Sequence, residues 1–300
     1  MEQFYVSLTF LTIIFKVLAT PTPIEVSCTK HDADRHCIIS NITLKSTSAS
    51  QYSFPKESVI HLENCTIDYF SSKLAEKLSD ATVELSIVDG NVPKVYVKPT
   101  LKTLTSLRSA TSVVLIDAVE NHNLEVLDIA GDLHAVPKKV QHLKNLQVLD
   151  LCRNQIEQVT LDHFQGLNHL RKLNLGQNRI NSISSSSDVN LPALTELFLQ
   201  GNQLRTLDLT HLKADNLQRF YASENQLTRI DGFPGRRFSS LVRVDLFRNE
   251  WNCEWLKETL QTLNDTEVET RSYLPKTEQD CDERSTVKVD AIECQAVGNA

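Results

Sequence analysis

The stretch that decides the fold is Leu146-Gln147-Val148-Leu149-Asp150-Leu151-Cys152-Arg153-Asn154-Gln155-Ile156, which reads L-x-x-L-x-L-x-x-N-x-L with isoleucine in the last place. The same pattern returns four times downstream, in copies that begin at Leu170, Leu194, Leu217 and Leu241. Each copy also carries the asparagine, at Asn154, Asn178, Asn202, Asn225 and Asn249. Five copies of one pattern, in a chain with 40 leucines among 300 residues, indicate a structure built from repeated units.

The spacing of the repeats predicts a leucine-rich repeat solenoid. The second apolar position of each unit recurs every 22 to 24 residues, at Leu127, Leu149, Leu173, Leu197, Phe220 and Val244. In L-x-L the alternate side chains of a short strand point inward, and stacked strands form a parallel sheet. We therefore expect an α/β fold with a curved parallel β-sheet on the concave face, an irregular or short-helical convex face and disulfide-closed end caps. The asparagine amides should form a buried ladder that satisfies backbone groups at each turn.

The repeats are less regular near the amino terminus. Cys65 takes the asparagine position in one early unit, and Gly90 and Ser109 take it in the next two. We expect about nine coils over residues 56–250, the first four of them irregular. The remaining boundaries are a signal peptide at 1–19, an amino-terminal cap at 24–55, a carboxy-terminal cap at 251–294 and a tail at 295–300.

The amino terminus predicts export from the cell. An apolar run from Phe4 to Phe15 precedes Val17 and Ala19, which fit the −3 and −1 positions of a signal-peptidase site after Ala19. The run is shorter than the roughly 20 residues that a transmembrane helix needs. No later segment is apolar enough to span a bilayer, so we predict a secreted protein without a membrane anchor.

Two cysteines ahead of the first coil predict a closed amino-terminal cap. Cys28 and Cys37 flank a polar segment, and paired cysteines of secreted proteins usually form disulfides. The alternative is a metal site made by Cys28, His31, His36 and Cys37, although their spacing matches no common zinc template. We predict the disulfide, and no bound metal or other cofactor.

The carboxy-terminal cysteines leave an unpaired thiol. Residues 249–256, Asn-Glu-Trp-Asn-Cys-Glu-Trp-Leu, resemble the carboxy-terminal cap of extracellular leucine-rich repeat proteins, but a glutamate and a tryptophan replace its proline and second cysteine. We predict a bond between Cys253 and Cys281, which leaves Cys294 for an intermolecular bond. Cys152, predicted to face solvent just after its strand, is a second intermolecular candidate, with a partly shielded free thiol as the alternative.

Charge and motifs exclude several function classes. A net charge of −7 argues against nucleic-acid binding, which needs a basic surface. The chain has none of the sequence motifs of serine hydrolases, zinc proteases or phosphate-binding loops. Asp128, Asp150 and Asp245 fall at the solvent-facing centres of strands, where acids usually form a solvated face. We therefore predict that the protein is not an enzyme.

The outward-facing positions of the last coils predict a protein-binding surface. Aromatic and arginine side chains are enriched where partners bind tightly. The predicted partner-binding residues are Phe198, Tyr221, Phe247, Arg171, Arg219, Arg243 and Arg248. The alternative is that some of these rings pack on each other and on arginine stems to shield the sheet.

Three Asn-x-Ser/Thr triplets mark possible N-glycosylation sites of an exported chain. Their asparagines are Asn41, Asn64 and Asn264.

The arrangement as a whole resembles the mosquito leucine-rich immune protein family. The likeness lies in the signal peptide, the early cysteine pair before Asn41-Ile42-Thr43, the segment Glu120 to Ile129, the regular coils and the Asn249 to Leu256 exit. Because no heptads follow the cap, the chain is similar to the coil-less class. The resemblance implies a haemolymph protein of innate immunity that partners a complement-like thioester protein, another leucine-rich repeat protein or a microbial surface.

Two further functions stay open from the sequence. One is an extracellular adhesion, matrix or ligand-binding module without an immune role. The other is an inhibitor of a secreted enzyme.

Overall fold

The backbone of the repeats forms one long sheet. The computed structural model describes residues 23–118, 122–270 and 294–295, so the predicted signal peptide and Cys281 lie outside the described residues. Within them, twelve strands join in chain order into a single sheet. Numbered β1 to β12, they are Lys30–His31, Cys37–Ser40, Val59–Glu63, Glu84–Val88, Thr103–Leu107, Val126–Ala130, Val148–Asp150, Lys172–Asn174, Glu196–Phe198, Arg219–Tyr221, Arg243–Asp245 and Glu269–Thr270. Only the pair β1–β2 is antiparallel.

The strand register confirms the leucine-rich repeat solenoid. Leu127 pairs with Leu149, Leu149 with Leu173, and Leu173 with Leu197. The same column continues through Phe220 to Val244. All six side chains are at most 3% exposed, so the apolar residue at each strand centre forms the core. The opposite face of the sheet, which carries the residues between the core positions, is the concave face.

The asparagines tie each coil to the coil before it. Asn178 Oδ1 accepts the N–H of Ile156 at 3.0 Å, while its Nδ2 donates to the carbonyls of Leu151 at 2.8 Å and Leu175 at 3.1 Å. Asn202, Asn225 and Asn249 repeat this arrangement. The predicted buried ladder is therefore present, and it links backbone groups of consecutive coils through side chains.

The early coils replace the amide with direct backbone contacts. A Cβ at Gly90 would lie 2.5 Å from the carbonyl oxygen of Cys65, and the next residue, Asn91, donates its N–H to that oxygen at 2.8 Å. Glycine is therefore needed there because the two coils approach too closely for a side chain. In the following coil the buried hydroxyls of Ser106, Ser109 and Thr111 bond to one another, and Thr111 donates to Val92.

Short elements close each coil on the convex side. The paired strands are Ile24–Glu25 with Tyr52–Ser53, Thr43–Leu44 with Thr66–Ile67, Lys94–Tyr96 with Val113–Leu115, Gln158–Thr160 with Ser182–Ser184, Val189–Asn190 with Leu212–Lys213, and Leu207–Asp208 with Ile230–Asp231. The 3₁₀ helices are Ser46–Gln51, Val140–His142, Leu161–Phe164 and Arg236–Phe238, and Ser72–Ala75 forms the α-helix α1. This mixture agrees with the predicted irregular or short-helical face.

The two ends of the solenoid are closed differently. Cys28 and Cys37 form the predicted disulfide across the β1–β2 hairpin. At the other end Trp251 is fully buried, stacks on Trp255 and donates its Nε1–H to Leu246 at 2.8 Å. The α-helix α2, Cys253–Asp265, then covers the last coil, and the short strand Trp251–Asn252 pairs with Cys294–Gln295. None of the described helices is long and apolar enough to cross a bilayer.

Replacing one ladder amide should weaken the whole stack. We expect Asn178→Leu to lower the free energy of unfolding by at least about 3 kcal/mol, since several buried backbone groups lose their partner at about 1–3 kcal/mol each. Denaturant titration followed by circular dichroism measures the change. Asn181→Leu, at an exposed position three residues away, is the matched control and should stay within about 0.5 kcal/mol. Equal stability of both variants would contradict the role of the ladder.

Candidate functional site on the concave face

One side chain from each of the nine strands β3 to β11 forms a column along the centre of the concave face. The register places these residues side by side in the order His61, Ser86, Thr105, Asp128, Asp150, Asn174, Phe198, Tyr221 and Asp245. Adjacent members are about 4.8 Å apart along the sheet. The column therefore runs from an imidazole, through polar and acidic groups, to two aromatic rings.

The two rings of the column are buried, which corrects the expectation that they are exposed. Phe198 is 3% and Tyr221 is 5% exposed. Their rings stack nearly parallel with centroids 4.7 Å apart, and Lys172 Nζ lies 5.3 Å from the Phe198 centroid. Because neighbouring strands hold the rings within stacking distance, each ring covers the other. The alternative drawn from the sequence, rings that pack on each other, is the one the structure adopts.

Three of the four predicted arginines are held by carboxylates of a neighbouring coil. Arg219 pairs with Glu196, and Arg243 pairs with Glu269 at 3.1 Å. Arg248 pairs with Glu224 at 3.2 Å and lies over the half-buried Phe247 ring at 5.3 Å. Of the seven predicted binding residues, Arg171 and Arg248 are the exposed ones. The binding role of the seven residues stays a prediction. Because Arg171 and Arg248 are the exposed ones, they are the two that a partner can reach most easily.

A hollow lies in the middle of the face, ahead of the aromatic pair. Its volume is about 660 Å³, and its charged lining residues are Arg108, Asp128, Asp132, Asp150, Arg153 and Lys172. Asp150 accepts a hydrogen bond from Asn174 Nδ2 at 2.9 Å and pairs with Lys172 at 3.4 Å. The sequence placed Asp128, Asp150 and Asp245 on a solvated face. The structure makes Asp128 and Asp150 neighbours inside this hollow, and the prediction is wrong for Asp245, which is 1% exposed.

Asp128 is the most perturbed acid of the hollow. Burial, and after it the neighbouring Asp150 carboxylate, raises the pKa of Asp128 to about 7, against a smaller opposing effect of Lys172. Two carboxylates in adjacent strands repel when both are ionised. Near neutral pH the hollow can therefore gain or lose one negative charge.

Arg153 provides an unsatisfied donor at the edge of the hollow. Its Nε donates to Gln177 Oε1 at 3.0 Å, while its buried Nη2 has no hydrogen-bond partner among the described residues. A buried donor without a partner costs free energy, and a guanidinium gains most from a carboxylate. Rotation of the Arg153 side chain toward the hollow would bring this atom to the surface, where it could pair with an acidic or carbonyl group that enters the hollow.

A second column runs along the rim, and the sequence pattern did not reveal it. Four residues after each core position the backbone adopts a left-handed conformation in most coils, at Asn41, Asn64, Asp89, Arg108, Arg153, Gln177, Gly201, Glu224 and Arg248. Neighbouring members bond to each other, for example Arg108 to Asp89 at 2.6 Å. Since the residue types differ widely, composition gives no signal; the constant offset from the core leucine is the signal that could have found it.

The predicted glycosylation sites are accessible. Asn41, Asn64 and Asn264 are all exposed. The first two lie side by side on the rim, where Asn64 Nδ2 donates to Asn41 Oδ1 at 2.6 Å. Their occupancy stays a prediction.

The structure corrects the assignment of Cys152. This residue is 6% exposed and disulfide-bonded, so it is neither solvent-facing nor available as an intermolecular thiol. Cys253 is disulfide-bonded as well, whereas Cys65 is a free buried thiol whose pKa is raised by burial. Because Cys28 and Cys37 bond to each other, the four-ligand metal site considered with His31 and His36 is wrong.

Comparison with known proteins agrees with the fold. Residues 144–204 match the family described as leucine rich repeat. The chain is 26% identical to asporin of Bos taurus over 170 residues, which are 53% of the chain and 45% of asporin. It is 30% identical to lumican of Gallus gallus over 153 residues, 44% of the chain and 42% of lumican. It is 36% identical to leucine-rich repeat-containing G-protein coupled receptor 5 of Rattus norvegicus over 144 residues, 43% of the chain and 16% of the receptor. The chain thus spans less than half the length of each.

Solved structures place the chain in the same class. The leucine-rich repeat domain of the mosquito protein APL1B superimposes with a TM-score of 0.59 at 16% identity, over 82% of this chain and 78% of that one. A chain of the octameric complex of Latrophilin 3, Unc5D and FLRT2 superimposes with a TM-score of 0.50 at 19% identity, over 85% and 89%. The fold therefore defines a leucine-rich repeat solenoid protein.

The raised pKa of Asp128 predicts that replacing its carboxyl by an amide stabilises the folded protein at high pH but not at low pH. Below pH 4 the carboxyl is protonated in both the folded and the unfolded chain, so it imposes no penalty. Above pH 7 it is ionised in both, and the folded state bears the full cost. We expect Asp128→Asn to raise the melting temperature at pH 8 by several degrees and to change it little at pH 4. Asp215→Asn, at an exposed position, is the control, and an equal shift at both pH values would contradict the prediction.

The positions of Cys152 and Cys253 restrict which cysteines can be their disulfide partners. Cys152 follows β7 and Cys253 follows β11, four strand spacings or about 19 Å away, which is too far for a bond between them. The partners left are Cys281 and Cys294, so no thiol at Cys294 would remain for a second chain. Because Cys294 pairs with Trp251, two residues before Cys253, the strand register favours a Cys253–Cys294 bond over the predicted Cys253–Cys281 bond.

Peptide mapping without reduction tests this pairing. We expect Cys152 and Cys253 each to be linked to a peptide from residues 271–300, and only Cys65 to be alkylated after unfolding. Alkylation of Cys152 in the unreduced protein would contradict it.

Proposed function

We propose that this protein is a secreted binding module of innate immunity that holds a protein partner on its concave face. The partner class is a complement-like thioester protein or another leucine-rich repeat protein, with a microbial surface as the further ligand. The proposal assigns no catalytic activity to the chain and no membrane anchor. The site of contact is the charged hollow, and the exposed Arg171 and Arg248 are further predicted contacts outside it.

The observation that carries the proposal is the unsatisfied Arg153 Nη2 in the hollow. An acidic side chain of a partner would satisfy this donor and displace water from a site that already holds Asp150 in an ion pair with Lys172. The mixture of positive and negative groups suits a protein surface, which presents both signs. A polyanion such as a nucleic acid would instead meet Asp132 and Asp150.

The comparisons support the class of function. APL1B shares the repeat domain, and the resemblance to mosquito immune proteins extends to the early cysteine pair and the carboxy-terminal exit. FLRT2, which contributes a leucine-rich repeat domain to the octameric complex, shows that the fold can take part in a protein assembly. The likeness to asporin, lumican and a receptor favours the alternative, an extracellular adhesion or matrix module with the same binding face.

One charge reversal tests whether the hollow is the binding site. Arg153→Glu changes the donor to an acid without new backbone strain, because Glu224 occupies the same rim column with φ of 54°, against 55° for Arg153. Arg179→Glu makes the same change at an exposed position outside the hollow. Wild type and both variants are used to capture proteins from extracellular fluid of the source organism, with bound proteins quantified by mass spectrometry.

We expect wild type and Arg179→Glu to capture the same thioester-type or leucine-rich repeat partner, and Arg153→Glu to capture at least about tenfold less of it. Melting curves check that all three proteins are equally folded. Equal capture of that partner by all three would reject the hollow as the binding site. Capture of matrix or adhesion proteins instead would replace the immune proposal with the alternative.

A further inference from the structure

Two imidazoles and a carboxylate meet at the amino-terminal end of the concave face. His36 Nδ1 lies 3.0 Å from Asp32 Oδ2, and His61 Nε2 lies 3.8 Å from the same oxygen. The three donor atoms all lie within 4.8 Å of one another, and the two rings have centroids 5.7 Å apart. The residues come from two separate elements, since Asp32 and His36 belong to the capping hairpin and His61 is the first member of the strand-centre column.

The fold fixes these elements against each other. The disulfide Cys28–Cys37 closes the hairpin directly beside His36. Strand β2 then pairs in parallel with β3, with Ile38 beside His61. Because side chains alternate along a strand, His36 and Ile38 lie on the same face, which brings the His36 ring over the His61 side chain. The three side chains are 22–35% exposed, so solvent and ions can reach them.

Backbone hydrogen bonds aim the carboxylate at the two rings. Asp32 Oδ1 accepts the N–H groups of Asp34 at 2.9 Å and His36 at 2.8 Å. One oxygen is thus used to hold the turn, and the other is directed towards the imidazoles. Such outer contacts orient metal-binding side chains in known sites.

We propose that Asp32, His36 and His61 form a zinc-binding site. Two imidazole nitrogens and one carboxylate oxygen are the three protein ligands of an open zinc site, in which water completes the tetrahedron. Metal–ligand distances of about 2.0–2.2 Å place tetrahedral donor atoms roughly 3.3 Å apart. The observed 3.0 Å and 3.8 Å lie on either side of that value, and all three donor atoms lie within 4.8 Å of one another, so the set is already close to tetrahedral spacing.

A neighbouring cluster does not provide a competing site. Cys28, His31 and Glu57 also lie within ligand distance of one another. The Cys28 sulfur is bonded to Cys37, however, and a disulfide sulfur is not the thiolate that zinc requires. The metal site considered from the sequence therefore fails in its cysteines, while one of its histidines, His36, belongs to the different set proposed here.

Zinc titration of the intact protein tests the site. The full-length secreted chain, with its disulfides and without a histidine tag, is titrated with Zn²⁺ by calorimetry at pH 7.5, and Co²⁺ serves as an optical probe of tetrahedral coordination. We expect one Zn²⁺ per chain and the intense visible absorption of tetrahedral Co²⁺. His36→Gln and His61→Gln should each weaken Zn²⁺ binding at least tenfold. Asp32→Asn keeps an oxygen for the turn and should weaken binding as well.

His31→Gln is the matched control. His31 lies in the same hairpin, is exposed and is not one of the three ligands, so this variant should bind Zn²⁺ like the wild type. Circular dichroism melts without metal check that the variants fold. Absence of stoichiometric Zn²⁺ binding by the wild type would overturn the proposal and leave the trio as an ion-pair cluster. Unchanged binding in the folded His36 and His61 variants would overturn it too, because the metal would then lie elsewhere.

Discussion

The bond between an asparagine amide and the backbone of the preceding coil is the constraint on which the regular half of this molecule depends. At the turn after each strand the backbone has groups that no neighbouring strand can satisfy. Asn178 and its equivalents satisfy them from within, and they reach across to the previous coil in doing so. Each coil is therefore held at a fixed height and rotation relative to the last. The apolar residues then superimpose and form a continuous core.

A consequence of this stacking is that the chemical neighbours of a residue lie one repeat away in the sequence. Asp128 meets Asp150, Phe198 meets Tyr221, and Arg248 meets Glu224, each pair separated by 22 to 24 residues. The properties of the concave face follow from these pairs. Like charges side by side raise a pKa, stacked rings shelter each other, and opposite charges hold long side chains flat on the sheet. Within the hollow, the Nη2 atom of Arg153 is left without a hydrogen-bond partner among the described residues, although Gln177 holds the Nε of the same guanidinium, and this atom is the one that we propose for partner contact.

The sequence predicts the core and the register well because both depend on a single recurring residue type. Leu149 and Leu173 mark their strands without ambiguity, and the order of the strand-centre column follows directly from them. The period does not predict contacts between side chains, so the burial of Phe198 and Tyr221 was missed. The left-handed rim position was missed because many residue types occupy it. The Asp32–His36–His61 cluster joins the cap to the first coil, and no repeat pattern relates those two segments.

The length of the outermost strand affects how the protein behaves in a concentrated protein solution. A parallel sheet of this size has backbone N–H and C=O groups at both edges that could recruit strands of another chain. Here the described sheet begins with the two-residue strand Lys30–His31. This strand is also reversed in direction and locked by a disulfide. The amino-terminal edge of the solenoid therefore offers very little backbone for intermolecular β-pairing, so that contacts made there by other proteins fall to side chains.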